Sequence, residues 1–129
     1  MRNKFLGQGE EGYHPIRKIM VCLSGLRYAI RYDFSVAYKF YLSLFMLLTC
    51  FFLRQWVDFL VIMAATGLVL IAELFNSAIE ALCDFIETNE NEKIKIIKDI
   101  SAAATGISIL LWVVVLLTEL SNFWAIFHV

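Results

Sequence analysis

Charged residues disappear from the chain three times: Phe40 to Leu53 carries none, Phe59 to Ala72 carries none, and Ile100 to Thr118 carries none. A bilayer's hydrocarbon core demands about 20 apolar residues of helix, and only the third stretch meets that length unaided. The first two reach it if their helices continue into polar neighbours that face protein or water. For the second, the continuation runs through Asn76, Glu80 and Asp84 to about Ile86, so a long helix leaves the membrane at its end. Arg54, Gln55, Trp56 and Val57 read as a tight hairpin between antiparallel helices, with Trp56 at interfacial depth. Spans are accordingly predicted at about 36–53, 57–86 and 100–120.

The segment at about 15–34 has a different pattern. Ile16, Ile19, Met20, Leu23, Leu26, Ile30 and Phe34 recur at helical spacing and share one face, while Arg17, Lys18, Ser24 and Arg31 lie largely off it. Pro15 suits the first turn, where its missing N–H is not needed. This is the pattern of an amphipathic helix lying in a membrane surface. Arg27 interrupts the apolar stripe, either as a snorkelling side chain at the headgroups or as a holder of phosphate.

Composition agrees with the spans. The hydrophobic class makes up 60% of the 129 residues and charged residues 18%, with a mean hydropathy of +0.73. So small a soluble body could not hide that apolar surplus, which sets aside disorder, a collagenous repeat and a nucleic-acid-binding module. The chain reads as one all-α membrane domain over 1–129, without internal repeat or linker. Cys22, Cys50 and Cys83 are odd in number and far apart, so neither a disulfide framework nor a zinc ribbon is expected, and they read as small buried residues. Met1 to Tyr13 lacks the apolar core of a signal peptide, which leaves insertion to the later spans.

The net charge of -1 says little, but the placement of basic residues says more. Arg2, Lys4, Arg17, Lys18, Arg27, Arg31 and Lys39 precede the first span, and Lys93, Lys95 and Lys98 lie between the second and third. Only Arg54 sits in the hairpin. Positive residues gather on the cytoplasmic side, so the N-terminal region and second loop are expected there, with the hairpin and C-terminus outside. Glu119, Asn122 and His128 are then expected in solvated positions near the far interface.

One polar face conflicts with the apolar surroundings. On a helix, Glu73, Asn76, Ser77, Glu80 and Asp84 fall on a single side, since offsets of three, four, seven and eleven residues return to it at about 100° per residue. Leu74, Phe75, Ala78, Ile79, Ala81 and Leu82 face elsewhere. Carboxylates at membrane depth are costly and mark a site or pathway. An inter-helix hydrogen-bond network would account for Asn76 and Ser77, but like-charged Glu73 and Glu80 call for protons or cations. Magnesium, held by one or two carboxylates together with substrate phosphates, would resolve the conflict and points to nucleotide chemistry. Lys98 can act as a point charge against a polyphosphate or as an ordinary interfacial anchor. Asp99 can serve the same site or a helix dipole, and Asp33 offers a further metal ligand. The P-loop, the dinucleotide-binding glycine turn and the protein-kinase motifs are all missing, and His14 and His128 stand isolated at opposite ends, which disfavours a soluble-type kinase or metalloprotease.

The run Glu73-Leu74-Phe75-Asn76-Ser77-Ala78-Ile79-Glu80, followed by Asp84, resembles the signature of the small prokaryotic integral-membrane diacylglycerol kinases, a family that includes undecaprenol kinases. Lys98-Asp99 with Ser101-Ala102-Ala103-Ala104 resembles its Lys-Asp and small-residue run, and Gly25-Leu26-Arg27 its Gly-Leu-Arg segment. The similarity covers about Ile16 to Leu117. It implies an ATP- and Mg2+-dependent lipid kinase of the bacterial inner membrane, a homotrimer with active sites shared between chains near the cytoplasmic interface. By the matching positions Glu73 would be the catalytic general base, Glu80 and Asp33 metal ligands, and Asn76, Lys98 and Asp99 nucleotide-positioning residues, with Arg27 the candidate phosphate contact and Ser77 and Asp84 completing the polar face. The acceptor implied is diacylglycerol, giving phosphatidic acid, and Ser77 leans that way; the alternative is undecaprenol. Two departures stand out: the family usually has Glu where Asp33 stands, and Phe34 to Lys39 match neither familiar branch. A reading of another class, a non-enzymatic channel or assembly subunit with the carboxylates lining a pore, predicts ion flux and no ATP consumption.

Overall fold

The computed structural model describes residues 12–128, and among these the chain is four α-helices without a strand. Helix α1 spans Pro15–Tyr32, α2 Phe34–Phe52, α3 Trp56–Ile86 and α4 Glu92–Phe127. Arg2 and Lys4, counted above for orientation, lie outside the described residues.

Each boundary has a local cause. Pro15 occupies the first turn of α1, and Asp33 ends that helix in extended geometry while its carboxylate accepts from Ser35 N at 3.0 Å to open α2. Phe34, assigned to the surface stripe by periodicity, therefore begins the next helix. At the other end of α2, Gln55 N donates to Cys50 O and Arg54 N to Phe51 O, the paired bonds of a Schellman stop. Arg54 takes the left-handed conformation this motif requires, at φ 56°. The second connection, residues 87–91, is shorter than the gap of 87–99 between the predicted spans. Asn91 accepts from Lys93 N at 2.9 Å and Ile94 N at 3.4 Å, so α4 starts at Glu92, and Lys93, Lys95 and Lys98 ride on helix rather than loop.

Both connections are too short for anything but antiparallel neighbours, so α2, α3 and α4 run up, down and up. All three are long and apolar enough to cross a membrane. At about 1.5 Å per residue, the 31 residues of α3 and 36 of α4 exceed a hydrocarbon core of about 30 Å, so their ends project beyond it. Inward positions alternate by three and four: Val36, Lys39, Ser43, Met46 and Cys50 on α2; Ile62, Thr66, Val69 and Glu73 on α3; Ser101, Thr105, Ser108, Trp112, Leu116, Glu119 and Phe123 on α4. That rhythm is the seam of a left-handed helical bundle. Its apolar part joins Met46, Cys50, Ile62, Val69, Trp112, Leu116 and Phe123. Outward residues such as Phe45, Leu60, Leu68, Ile107 and Leu110 are exposed, as suits an integral-membrane protein.

Three expectations change. Cys50 and Cys83 are buried, but Cys22 is exposed on α1. Glu119 belongs to the inward seam of α4 rather than to solvent, with Oε2 buried and without a hydrogen bond among the described residues. Lys39, counted among the basic residues that set orientation, is 1% exposed.

Candidate active site

The up-down-up order brings the start of α2, the end of α3 and the start of α4 to one end of the bundle, and these segments carry nearly all the polar chemistry named above. Glu73 is buried, at 4% exposure. Its Oε1 pairs with Lys39 Nζ at 2.7 Å and accepts from Ser35 Oγ at 3.0 Å. Lys39 also donates to Ser35 Oγ at 2.7 Å and Ser35 O at 3.2 Å, with Nζ 4.4 Å from the Tyr38 ring centroid. The ion pair supplies within the chain a counter-charge for Glu73, where the sequence called for protons or cations such as magnesium.

One turn along α3, Ser77 Oγ donates to Asp33 Oδ2 at 2.7 Å, and Ser101 Oγ on α4 donates to Asn76 Oδ1 at 2.8 Å. Asn76 Nδ2 in turn reaches Glu80 Oε1 at 3.3 Å. The amide is thereby fixed at both ends, presenting a carboxylate on the exposed side of the helix. Further out, Lys98 donates to Asp84 in a short ion pair. Below this, Thr105 Oγ1 bonds Ala72 O at 3.3 Å, and Trp112 Nε1 donates to Ser43 Oγ at 2.8 Å. Thr105 thus ties α4 to the backbone of α3, and Trp112 ties it to α2.

Of the residues proposed from sequence, Glu73, Asn76, Ser77, Glu80 and Asp84 form one face, joined by Asp33 and Lys98. Two stay apart. Asp99 is exposed and lies 3.5 Å from Lys95 one turn earlier on its own helix. Arg27 is exposed and lines a groove between α1 and α2 with Leu23, Leu26, Ile30, Arg31 and Tyr41. Sequence reasoning missed Lys39, Ser35 and Ser101. For Lys39 a signal existed: it shares the three-and-four rhythm of Ser43, Met46 and Cys50, whose members face inward.

The donor set fits a hard cation. Glu80 and Asp33 offer oxygen ligands, and Ser77 ties Asp33 to the α3 turn that precedes Glu80. No three acidic, histidine or cysteine side chains gather among the described residues. A cation at this face would therefore take one or two carboxylates from the chain and complete its shell with phosphate and water, as magnesium does.

A three-span helical membrane protein with a carboxylate face at one end of its bundle is the class these features define. Residues 20–120 match the family of prokaryotic diacylglycerol kinases, and the chain belongs to that family of membrane lipid kinases. No curated protein matches the chain.

Proposed function

We propose that the protein transfers the γ-phosphoryl group of ATP to the hydroxyl of a membrane lipid, diacylglycerol, giving phosphatidic acid at the cytoplasmic face of a bacterial inner membrane. The single observation that carries this reading is the ordered carboxylate face of α3, where a buried Glu73 and an exposed Glu80 lie two turns apart with Asn76 between them.

Phosphoryl transfer asks a protein mainly for positioning and charge neutralisation. Glu73 is the base: it takes the proton from the lipid hydroxyl as that oxygen bonds to the γ-phosphorus, while the bond from phosphorus to the bridging oxygen breaks and its electron pair leaves with ADP. Glu80 and Asp33 would hold magnesium, which would supply charge neutralisation on the phosphate oxygens. Asn76, fixed by Ser101, and Lys98 hold the nucleotide at the exposed end of the face; Asp99 and Arg27 assist from the rim. The acceptor's hydrocarbon tail stays in lipid, so no closed pocket is needed. Because one chain offers only part of a cation's shell, a homotrimer with sites shared between neighbours suits the geometry, with the N-terminal region and the 87–91 connection cytoplasmic.

The test is transfer of radioactive γ-phosphate by purified protein, with diacylglycerol and undecaprenol compared side by side. Labelled phosphatidic acid as the main product supports the reading. Preference for undecaprenol moves the acceptor and keeps the chemistry, whereas no labelled lipid in either case overturns it.

A further inference from the structure

The Lys39–Glu73 pair lies where the reading above places the base, yet Lys39 is not positioned to touch either substrate. An ammonium has three N–H donors, and all three are spent within the chain, on Glu73 Oε1, Ser35 Oγ and Ser35 O. With 1% exposure, Lys39 is closed to phosphate and lipid alike.

The contacts to Glu73 are one-sided. Lys39 Nζ and Ser35 Oγ both converge on Oε1, at 2.7 and 3.0 Å, and they bond each other at 2.7 Å, closing a three-membered ring of polar groups. Oε2 has no hydrogen bond among the described residues, and it is absent from the buried polar atoms sealed without a partner. A symmetric clamp on both oxygens would occupy the atom that must receive a proton. This one fixes the plane of the carboxylate and leaves the second oxygen open.

We infer that Lys39 and Ser35 are positioning residues for the catalytic base, clamping Glu73 Oε1 so that Oε2 is the oxygen presented to the acceptor hydroxyl. Each serves a distinct part. Lys39 supplies the counter-charge for a carboxylate taken out of water, without which its burial would be costly. Ser35, one turn before Lys39 on α2, supplies direction: its hydroxyl accepts from the lysine and donates to the carboxylate, so neither long side chain can swing away alone. The device is preorganisation, a base held in its working orientation before the substrate arrives. The inference rests on Glu73 being the base.

The experiment measures lipid phosphorylation by Lys39→Met, Lys39→Arg, Ser35→Ala and Glu73→Gln in normal and heavy water, alongside nucleotide binding. A well-placed base transfers its proton easily, and a misplaced one makes proton transfer limit the rate. Lys39→Met is expected to lower kcat by roughly 10- to 100-fold, within the contribution of general-base catalysis, with nucleotide affinity unchanged and a larger solvent isotope effect. Ser35→Ala should show the same isotope change with a smaller loss, and Lys39→Arg should recover part of the rate. A lower rate with an unaltered isotope effect would mean fewer folded molecules and would overturn the inference, as would unchanged turnover. If Lys39→Met does not fold, Ser35→Ala decides by the same readout. Glu73→Gln separates the two claims: substantial activity there removes the base reading itself, whereas an inactive Glu73→Gln beside unaffected clamp variants removes only the positioning role.

Discussion

Ser77 and Asp33 stand 44 positions apart in sequence and are joined by a 2.7 Å hydrogen bond that pins the start of α2 to the polar face of α3. The other oxygen of Asp33 caps α2 through Ser35 N. Asp33 is therefore a helix cap as well as a proposed cation ligand, and the two duties are separable.

Asparagine preserves the first duty and removes the second. Its carbonyl oxygen can accept from Ser35 N and its amide can donate to Ser77, but it carries no charge for a cation. Asp33→Asn should leave the melting temperature in detergent unchanged and raise the magnesium concentration needed for half-maximal activity. Asp33→Ala should do both kinds of damage, with a cap loss of about 1 kcal/mol in stability. An unchanged magnesium requirement in Asp33→Asn would assign Asp33 to capping alone.

The buried pair of Lys39 and Glu73 predicts a double-mutant cycle in stability. Removing either partner strands the other inside the protein, at a cost of about 3–5 kcal/mol. Removing both leaves no stranded charge. Unfolding measured for Lys39→Met, Glu73→Gln and the double variant should therefore give a double loss smaller than the sum of the singles, with a coupling of about 1 kcal/mol or more. Additive losses would show that the two side chains stabilise the fold independently. Glu73→Gln and the double variant should both be without kinase activity even where stability recovers.

The spans were legible because an uncharged run of sufficient length admits few alternatives in a chain this apolar. The stripe from Glu73 to Asp84 was legible for a related reason: polar groups in an apolar helix are conspicuous, and their spacing assigns them one face. Lys39 was not, because counting positive residues for orientation treats every lysine as a solvated anchor, whereas this one is paired inside the bundle. The inward side of α4 escaped notice too. Its Ser101, Thr105, Ser108 and Glu119 share the buried seam with Trp112, Leu116 and Phe123, so polarity no longer marks the outward face. Only the three-and-four spacing betrays such a seam. Asp99 shows the converse limit, since adjacency to Lys98 places it about 100° around the helix, where it meets Lys95 instead.

Glu80 is exposed, and among the described residues its one hydrogen bond is the 3.3 Å bond from Asn76. Substitution there should barely touch stability, since surface changes away from special features stay within about 0.5 kcal/mol. Glu80→Ala should instead weaken nucleotide binding only when magnesium is present, as read by titrating a fluorescent ATP analogue with and without the metal. Asn76→Ala should give a weaker version of the same defect, because it loses the link that Ser101 provides. Equal weakening with and without magnesium would place Glu80 on the nucleotide rather than on the cation.

Lys98 and Asp84 offer the clearest test of the nucleotide's place. The ion pair is partly open to solvent, and exposed pairs contribute little to folding, so neither Lys98→Gln nor Asp84→Asn should shift the melting temperature. Their kinetic effects should diverge. Lys98→Gln removes the positive charge proposed to meet polyphosphate, so the KM for ATP should rise several-fold while the KM for lipid holds, and the salt dependence of ATP binding should flatten. Asp84→Asn keeps an oxygen to orient the ammonium but withdraws the competing negative charge, so its KM for ATP should stay level or fall. If both variants raise that KM alike, the pair acts as a unit that shapes the end of α3, and the nucleotide must draw its positive contact from another residue.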